Sequence, residues 1–293
     1  MSWFLLIYCK TSEIMARNSL KNLLEPYLDI EKIKMIPNSY DLIGHIAILE
    51  IPKELKSKKK LIAKALLEVN KNIKTVLEKS SERKGIFRKR EYRFLAGEKK
   101  YTTVHREYGL QFKVNPTEVY FSPRELTERQ RIAAQVKPKE TVMVMFSGVG
   151  PYGLAIAKKQ PLVNQVICIE MNPKAAKYAR ENIRLNRLYG KVVHLTGDVK
   201  KKSEKYFGRC DRIVMPLPEG GQKFLDIAVK CLKRRGGMIH FYTWGEEDKY
   251  FKDSKELLKK NMKGLRRYRI VKLKKVLPFS PRKWKVCIDA KIF

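Results

Sequence analysis

The chain has 293 residues, which is enough for one large domain or two domains of modest size. Hydrophobic residues make up 44% of it, so the composition argues against global disorder. Its 64 Lys and Arg residues against 30 Asp and Glu residues give a net charge of +34, which is typical of a protein that binds a polyanion, most often nucleic acid.

Two other kinds of protein share such a charge: those with the lysine-rich surface of heat adaptation and those that bind a membrane surface. No run of 18 or more apolar residues occurs, so no membrane span is expected. The apolar run at residues 3–8 lacks a basic region before it and reads as a strand, not a signal peptide. The cysteines form no C-x-x-C pair, which predicts neither a metal site nor disulfides and favours the cytoplasm; they are Cys9, Cys168, Cys210, Cys231 and Cys287.

The first part of the chain predicts a short segment and then a small α+β domain. Residues 1–36 combine the apolar strand with a helical pattern and are too few for a confident domain. Residues 37–118 alternate strand-like pieces with an amphipathic helix at residues 56–69. The strand-like pieces lie at residues 45–51, 74–77, 92–95 and 101–104.

Basic and aromatic residues crowd one turn and strand of this small domain. The basic members are Arg83, Lys84, Arg88, Lys89, Arg90 and Arg93, and the aromatic members are Phe87, Tyr92 and Phe94. This mixture suits phosphate contact together with base stacking. It equally suits an edge strand that charges protect from aggregation.

Residues 115–131 (NPTEVYFSPRELTERQR) predict a strand that ends at Phe121, followed by a helix. Ser122 is a favoured helix cap, and Glu125 three residues later completes a capping box. We therefore expect Glu125 to be a cap. Glu128, one turn further, has no capping role, which leaves it free for a functional one.

Residues 119–293 alternate helices and strands, as in a doubly wound parallel sheet. An apolar run ends in the turn Ser147–Gly153 with the pattern Gly-x-Gly-x-x-Gly, and a second apolar run ends on Glu170, 22 residues after Gly148. Glycines allow a ligand close to the backbone, and the acid suits ribose hydroxyls, so a nucleoside ligand is expected. A ligand-free α/β domain with a glycine turn is the plain alternative.

Pro151 distinguishes between two candidate cofactors that contain a nucleoside, NAD and S-adenosyl-L-methionine. A dinucleotide needs N–H groups at the start of the helix for its pyrophosphate, and proline has none. S-adenosyl-L-methionine carries no phosphate and tolerates the proline, so we favour it over NAD.

Further candidates follow the carboxyl ends of later strands, where ligands bind in such sheets. Asp198 suits an adenine amino group, although a turn aspartate is equally expected there. Pro216, Leu217 and Pro218 follow the next strand. His194 and His240 lie in apolar strands and read as satisfied core histidines, and the role of His105 stays open.

Together these motifs resemble the archaeal and eukaryotic type of tRNA (guanine-37 N1)-methyltransferase, over roughly residues 37–293. The resemblance is carried by VHREYGLQFKVNPTEVYFSPRELTER (residues 104–129), MFSGVGPYG (145–153), IEMNP (169–173), GDV (197–199), MPLPEGGQKFLD (215–226) and GGMIHFY (236–242).

The resemblance implies a class I methyltransferase domain preceded by a small α+β RNA-binding domain, with S-adenosyl-L-methionine as cofactor. It implies that Glu128 takes the N1 proton of guanine and that Arg88 stabilises negative charge on O6. Positioned acids and cations of this kind are what N1 methylation needs. Candidate cofactor-binding residues are Tyr120, Phe146, Gly148, Gly150, Glu170, Met171, Asp198, Val199, Pro216, Leu217 and Pro218. Candidate tRNA-binding residues are Arg90, Arg124, Pro216 and Arg282.

The chain departs from the family in three places. Pro216 stands where many members carry the Asn of an Asn-Leu-Pro motif, and Val144 replaces an acid in the first strand. The N-terminal region is shorter than the family's additional tRNA-binding domain. The expected partner is the anticodon loop of a tRNA, and a monomer is expected. Two alternatives remain: a wyosine-pathway relative, which transfers an aminocarboxypropyl group or methylates a modified guanosine, and a catalytically silent tRNA-binding protein.

Overall fold

The computed structural model of the chain describes residues 20–37, 39–81, 85 and 90–293. The predicted strand at residues 3–8 lies outside the described residues, as does most of the basic turn, including Arg83 and Arg88. The described chain divides into two compact units. The first takes the residues up to His105 together with Asn115–Thr117, and the second takes Arg106–Val114 and Glu118–Phe293. The division of the sequence at residues 36 and 118 stays a prediction.

The first unit is a small α+β fold around a four-stranded sheet of order β1-β2-β3-β4. Its core forms where the apolar face of α3, with Ile62 and Leu66, packs with buried strand residues such as Ala47 and Val76. Its elements are α1 (Leu20–Leu24), α2 (Ile30–Met35), β1 (Asp41–Ile43), β2 (Ile46–Leu49), α3 (Lys59–Val69), β3 (Thr75–Lys79) and β4 (Tyr92–Gly97), with 3-10 turns at Glu25–Tyr27 and Lys53–Lys58.

The second unit is built on a seven-stranded sheet. Before this sheet in sequence, two strands form a small sheet of their own: β5 (Thr103–Glu107), which the division between the units cuts after His105, and β6 (Leu110–Val114), which belongs to the second unit. The helices are α4 (Leu126–Ala133), α5 (Pro151–Lys159), α6 (Pro173–Leu185), α7 (Val199–Lys202), α8 (Leu225–Cys231) and α9 (Tyr250–Met262). The strands of the large sheet are β7 (Thr141–Met145), β8 (Gln165–Glu170), β9 (Val192–Thr196), β10 (Arg212–Met215), β11 (Gly237–Glu246), β12 (Tyr268–Ser280) and β13 (Lys283–Ile292), and 3-10 turns lie at Pro123–Glu125, Glu204–Tyr206 and Gly221–Phe224.

The order of the large sheet is β12-β13-β11-β10-β7-β8-β9. Strands β7 to β11 pair in parallel, and β13 is antiparallel to both of its neighbours. The strand order therefore reverses at β7, between β8 on one side and β10 on the other. In sheets of this kind ligands bind at that reversal, outside the carboxyl ends of the strands. The predicted fold class, a doubly wound and mostly parallel α/β sheet after a small α+β domain, is confirmed.

The central strands are apolar because helices cover both of their faces. All of β7 is buried, including Val144, which replaces the family's acid and packs as an ordinary core residue. The described cysteines Cys168, Cys210, Cys231 and Cys287 are free and buried. No helix in the described ranges is long and apolar enough to cross a membrane.

One predicted strand is wrong. No strand ends at Phe121; the strand before it is β6, which ends at Val114, and turns follow until the 3-10 turn at Pro123–Glu125. Phe121 is buried because it packs against Phe112 of β6 at 5.7 Å between ring centroids. Its apolar character therefore reflects core packing, which looks the same as a strand in sequence.

Candidate active site

The glycine turn and the acid meet as the sequence predicts. The N–H of Gly148 donates to Oε2 of Glu170 at 2.8 Å, and the N–H of Asn172 donates to Oε1 of the same carboxylate at 2.7 Å. Burial raises the pKa of Glu170 above its usual value, against the effect of these backbone donors. Each carboxylate oxygen can accept a second hydrogen bond, so the acid retains acceptors for a ligand's hydroxyls.

The three glycines of the turn serve different purposes. A Cβ on Gly148 would meet nothing closer than the carbonyl oxygen of Tyr120 at 3.9 Å, so space is open beside this glycine. A Cβ on Gly150 would lie 2.8 Å from Leu154, and one on Gly153 would lie 2.3 Å from the sulfur of Cys168. Gly148 thus leaves room for a ligand, Gly150 takes the left-handed backbone (φ of 90°) that precedes α5, and Gly153 allows α5 to pack closely on β8.

The end of β7 carries two further signs of a ligand site. Phe146 adopts a left-handed backbone with φ of 56°, a strained conformation for a residue with a side chain, and such strain clusters at functional sites. The hydroxyl of Ser147 is buried and has no hydrogen-bond partner among the residues that the structure describes. Pro151 occupies the first turn of α5, which leaves fewer N–H groups for a pyrophosphate. These features fit S-adenosyl-L-methionine.

The loops after β9 and β10 end at the same edge of the sheet. The N–H of Gly197 donates to the carbonyl of Glu170 at 2.9 Å, which brings the turn before Asp198 next to the acid. Asp198 caps α7 by accepting from the N–H of Lys200 at 2.9 Å. Phe146 contacts Phe224 edge to face, at 4.9 Å between ring centroids.

The remaining predicted cofactor residues differ in exposure. Met171 is exposed, Val199 is buried in the core, and Pro216 and Leu217 are half-buried after β10. Their roles in binding stay predictions.

A second cluster lies beneath the first turn of α5, and it corrects the prediction for Glu125. The side chain of Ser122 makes no capping bond, so the capping box is wrong. The Glu125 carboxylate instead accepts from the hydroxyls of Tyr120 and Tyr152, each at 3.0 Å, and from Lys285 at 2.8 Å. Burial opposes ionisation of Glu125, but Lys285 and these donors outweigh it and hold its pKa below the usual value. Glu125 is therefore a buried, ionised anchor.

Glu128 is buried in the same region. Arg131 donates to both of its oxygens, from Nε to Oε2 at 2.7 Å and from Nη2 to Oε1 at 2.8 Å. The hydroxyl of Tyr242 donates to Oε1 at 2.6 Å. The rings of Tyr242 and Tyr152 are in edge contact at 5.9 Å, so the surroundings of Glu128 connect to α5, the helix that starts at the glycine turn.

Arg131 continues the network to Asp289. It donates to this carboxylate at 2.6 Å, and Asp289 also bonds to Nδ1 of His240 at 2.7 Å. Burial disfavours the ionised form of Asp289, but His240 and Arg131 hold the pKa of this carboxyl group well below its usual range. Arg212 lies 2.7 Å from Nε2 of His240, which makes that nitrogen an acceptor. His240 is thus a satisfied core histidine, as predicted.

Three potential metal ligands meet here, namely His240, Cys287 and Asp289, whose ligand atoms lie within 4.8 Å of one another. Two arginines already bond to this group, since Arg131 donates to Asp289 and Arg212 to His240. A cation would have to displace these positive charges. The group is therefore an ion-pair network, and we assign no metal to it.

The predicted RNA-contacting arginines are placed as follows. Arg282 is 86% exposed in its side chain, at the turn between β12 and β13, and Arg124 is exposed beside the 3-10 turn at Pro123–Glu125. Arg90 is half-buried in the first unit, and Arg88 lies outside the described residues. Arg129, next to Glu128, pairs with Glu107 inside the core and has a structural role.

Sequence reasoning missed five polar residues of this region: Arg131, Tyr152, Tyr242, Lys285 and Asp289. Arg131 could have been found, because residues three apart on a helix are neighbours and Arg131 follows Glu128 by three. Lys285 and Asp289 carry no such local signal.

Two family models match the chain. The TRM5/TYW2 methyltransferase domain matches residues 103–271, and the TYW2 N-terminal domain matches residues 20–100. The chain therefore belongs to the TRM5/TYW2 family of methyltransferases, as its motifs predict. S-adenosyl-L-methionine is the cofactor of this family, in agreement with the prediction from Pro151 and the glycine turn.

Among curated relatives, the tRNA (guanine(37)-N(1))-methyltransferase Trm5b of Pyrococcus abyssi is 38% identical over 88% of this chain and 76% of its own length. The tRNA 4-demethylwyosine(37)-methyltransferase Taw21 of Saccharolobus solfataricus is 32% identical over 86% of this chain and 92% of its own. The tRNA(Phe) (4-demethylwyosine(37)-C(7)) aminocarboxypropyltransferase of Pyrococcus horikoshii is 31% identical over 94% and 96%, respectively.

Similar solved structures also include Trm5 and TYW2 proteins. Trm5b from Pyrococcus abyssi superposes with a TM-score of 0.81 at 35% identity, covering 92% of this chain and 80% of that one. A complex of aTrm5 with tRNALeu gives 0.79 at 32% identity, covering 94% and 78%. TYW2 of P. horikoshii in complex with MeSAdo gives 0.79 at 29% identity, covering 94% and 98%.

Proposed function

We propose that this chain transfers a methyl group from S-adenosyl-L-methionine to N1 of guanosine 37 in the anticodon loop of a tRNA. The observation that carries the proposal is Glu128, a buried carboxylate beside the helix that begins at the glycine turn. The Trm5b relative and the tRNA complex of a similar structure support the substrate class.

Glu128 is suited to accept a proton. Arg131 and Tyr242 donate three hydrogen bonds to it, and a carboxylate offers about four acceptor positions, so one remains. When Glu128 becomes neutral, Arg131 keeps a carboxylate partner in Asp289. Proton transfer to Glu128 therefore leaves no buried cation unpaired, which would be costly.

The reaction balances with these groups. The cofactor supplies an electrophilic methyl group on a sulfonium sulfur. Guanine N1 gives its proton to Glu128 and bonds to the methyl carbon, and the electron pair of the broken bond stays on sulfur. Negative charge grows on O6 as the N1 proton leaves, and the family resemblance assigns its stabilisation to Arg88.

On the cofactor side, we infer that Glu170 holds the ribose and that Gly148 passes closest to the ligand. Pro216 offers no side-chain amide to the target base, unlike the Asn of many family members. A cytoplasmic location and a monomeric state remain predictions of the sequence.

The second candidate is action on a wyosine-type base, by methylation or by aminocarboxypropyl transfer. It is favoured by the match of residues 20–100 to the TYW2 N-terminal domain and by relatives of nearly this length. Glu128 argues against aminocarboxypropyl transfer, because its placement suits N1 deprotonation.

One experiment separates these functions. The protein is given tRNA transcripts with guanosine, adenosine or inosine at position 37, and separately tRNA carrying 4-demethylwyosine, with cofactor labelled either in the methyl or in the carboxyl group. Methyl label in N1-methylguanosine, only on the guanosine transcript, is the expected result. Methyl label only on the wyosine-type tRNA, or carboxyl label on any tRNA, would overturn it in favour of the second candidate. Binding of tRNA without transfer of either label would indicate a silent tRNA-binding protein.

A further inference from the structure

Three strands of the second unit extend past the rest of the sheet at its ligand-binding edge. The last pair between β10 and β11 is Met215 with Phe241, yet β11 continues to Glu246. Those five further residues pair with β13 from Cys287 back to Lys283, and β12 pairs with β13 as far as Ser280. At about 3.3 Å per residue, the extension rises roughly 17 Å beyond the carboxyl end of β10.

Aromatic rings cover this extension. Phe279, 42% exposed near the end of β12, packs on Trp244 with ring centroids 4.4 Å apart. Trp284 and Tyr250 form a second, edge-to-face pair at 6.3 Å. Lys275 places its ammonium 4.3 Å from the Tyr250 ring and 4.9 Å from the Trp284 ring, and Lys283 lies 5.9 Å from the Trp244 ring.

The same strands are strongly basic. Between Tyr250 and Trp284 the only acids in sequence are Asp253 and Glu256. Within the described chain, no carboxylate lies within ion-pair distance of exposed Lys272, Lys274 or Lys275. Lys272 and Lys274 lie on one face of β12, which is the face of Trp244, and Lys275 lies on the other, so both faces offer positive charge to an anionic partner.

A protected edge strand would explain part of this pattern. β12 is the last strand of the sheet, and lysines on such a strand prevent pairing with another chain. That purpose does not require an exposed phenylalanine at the tip of the hairpin, where an apolar ring is itself an aggregation hazard. Bases stacked on aromatic rings and phosphates held by cations explain both features together.

We propose that a hairpin ridge, formed by Trp244, Lys274, Phe279, Arg282 and Lys283, binds the single-stranded RNA that flanks the target nucleotide. Its lysines and Arg282 hold phosphates, and Phe279 stacks on an unpaired base. The proposal deepens the proposed function and rests on it for the identity of the RNA. The ridge stands at the edge of the sheet where the cofactor site lies, so an RNA strand on it is held beside the base that reacts.

Ridge variants of the full chain test this. Phe279→Ala and Phe279→Leu remove the ring, and Leu keeps apolar contact with Trp244. The double variant Lys274→Gln/Arg282→Gln removes two exposed charges. Matched controls are Tyr189→Ala and Lys137→Gln, an exposed ring and an exposed charge near the amino ends of β9 and β7, at the opposite edge of the sheet. Unchanged affinity for S-adenosyl-L-methionine and an unchanged melting temperature establish that each variant is folded.

The dissociation constant is measured by filter binding over a series of salt concentrations, with an anticodon stem-loop RNA and with a blunt duplex of the same stem. We expect each Phe279 variant to weaken stem-loop binding by about tenfold and duplex binding much less. We expect the double variant to reduce the slope of log K against log salt by about 1.4, near 0.7 for each lost phosphate contact to a single strand. The controls should match the unaltered protein.

Three outcomes would contradict the proposal that the ridge binds single-stranded RNA. These are affinities and slopes equal to those of the controls, equal losses on stem-loop and duplex, and an unaltered protein that binds neither RNA. The readout is binding, so it is independent of turnover. If the unaltered protein transfers no methyl group yet binds the stem-loop through the ridge, the proposed function fails and the ridge stands.

Discussion

Arg131 lies between two buried carboxylates, Glu128 and Asp289. It donates two hydrogen bonds to Glu128 and pairs with Asp289 at 2.6 Å. Desolvation disfavours the charged guanidinium, but these two acids raise the pKa of Arg131 further above its ordinary value. Arg131 is therefore a permanent cation whose charge two acids share, so it has a carboxylate partner in Asp289 besides Glu128.

At the residue scale, we predict that Glu128→Gln lowers kcat by about 10² to 10⁴, because the amide cannot accept the N1 proton. The dissociation constant for tRNA should change little. Single-turnover methyl transfer and filter binding measure the two quantities on the same protein.

The matched control for this substitution is Glu118→Gln, which removes a partly exposed carboxylate that pairs with Lys174. It should leave kcat unchanged. Equal losses of turnover and of tRNA binding in Glu128→Gln would instead assign Glu128 to structure, through its bonds to Arg131 and Tyr242.

A second prediction at this scale concerns Glu170. Replacing it with Gln places an NH2 group against the N–H of Gly148 or of Asn172, and it removes the charge that hydroxyl donors favour. Since hydrogen bonds to charged groups contribute about 1.5 to 3 kcal/mol, we expect affinity for S-adenosyl-L-methionine to fall by at least about tenfold. Isothermal titration calorimetry checks this.

The comparison for Glu170 is Glu181→Gln, a half-exposed acid on α6 that pairs with Lys113. Cofactor affinity in this variant should equal that of the unaltered protein. If Glu170→Gln binds the cofactor equally well, the ribose assignment is wrong.

At the scale of the element, strand β9 carries His194, which we expected from the sequence to be a core histidine with hydrogen-bond partners. Neither ring nitrogen of His194 has a hydrogen-bond partner among the described residues. Burial, with a contribution from the nearby charge of Arg180, lowers the pKa of His194 to about 4. The prediction of a satisfied core histidine is therefore right for His240 and wrong for His194.

The lowered pKa of His194 makes the folded chain less stable as the solution becomes acidic. Below a pH of about 6.5 the unfolded chain binds a proton at His194 while the folded chain does not. The free energy of unfolding therefore decreases as the pH is lowered from about 6.5 to about 4. His194→Leu should raise the free energy of unfolding by about 1 kcal/mol near neutral pH, because it removes an unsatisfied polar group. The gain should grow by up to about 1 kcal/mol per pH unit on acidification, less than the full linkage value because the ring is partly exposed.

Urea unfolding at several pH values tests this, with Val193→Ile on the same strand as a control that cannot titrate. The effect of Val193→Ile should not depend on pH. A difference between His194→Leu and the unaltered protein that stays constant over the acid range would contradict the assignment.

The elements that sequence predicted are those with a local signal. The glycine turn, Pro151 and Glu170 lie within one strand–helix–strand unit, where spacing alone fixes their relation. Glu125 was read as a helix cap because its true partner, Lys285, is 160 residues away. Arg131 and Asp289 are separated by 158 residues. Burial of a charge is decided by such distant partners, which one sequence does not reveal.

The same limit applies to β12 and β13. Both strands are long, but β12 is mostly exposed and carries charges in place of a buried alternation, so its apolar period is weak. Strand β13 joins the sheet by pairing with β11, which is distant from it in sequence, and β12 joins the sheet through β13. Local patterns do not show such distant pairing. The doubly wound parallel sheet was predictable because each buried strand is followed by a helix.

At the scale of the whole molecule, the net charge of +34 bears on two explanations of the basic composition, namely heat adaptation and the binding of a polyanion. A surface adapted to heat balances its lysines with acids in ion-pair networks, and salt weakens such a surface. Here cations outnumber acids about two to one, as 64 against 30. The surplus positive charges repel one another in the free protein, and we expect a bound polyanion to neutralise them.

The two explanations predict opposite effects of salt. We expect the melting temperature of the free protein to rise between about 0.05 and 0.5 M NaCl, because screening relieves the repulsion. Over the same range the stabilisation given by bound tRNA should shrink, since its affinity depends on release of counterions. Differential scanning fluorimetry with and without tRNA measures both trends, and a neutral crowding polymer serves as the control. A free protein whose melting temperature falls with salt would instead be held together by its surface ion pairs, and the surplus of lysines would then belong to heat adaptation and not to RNA.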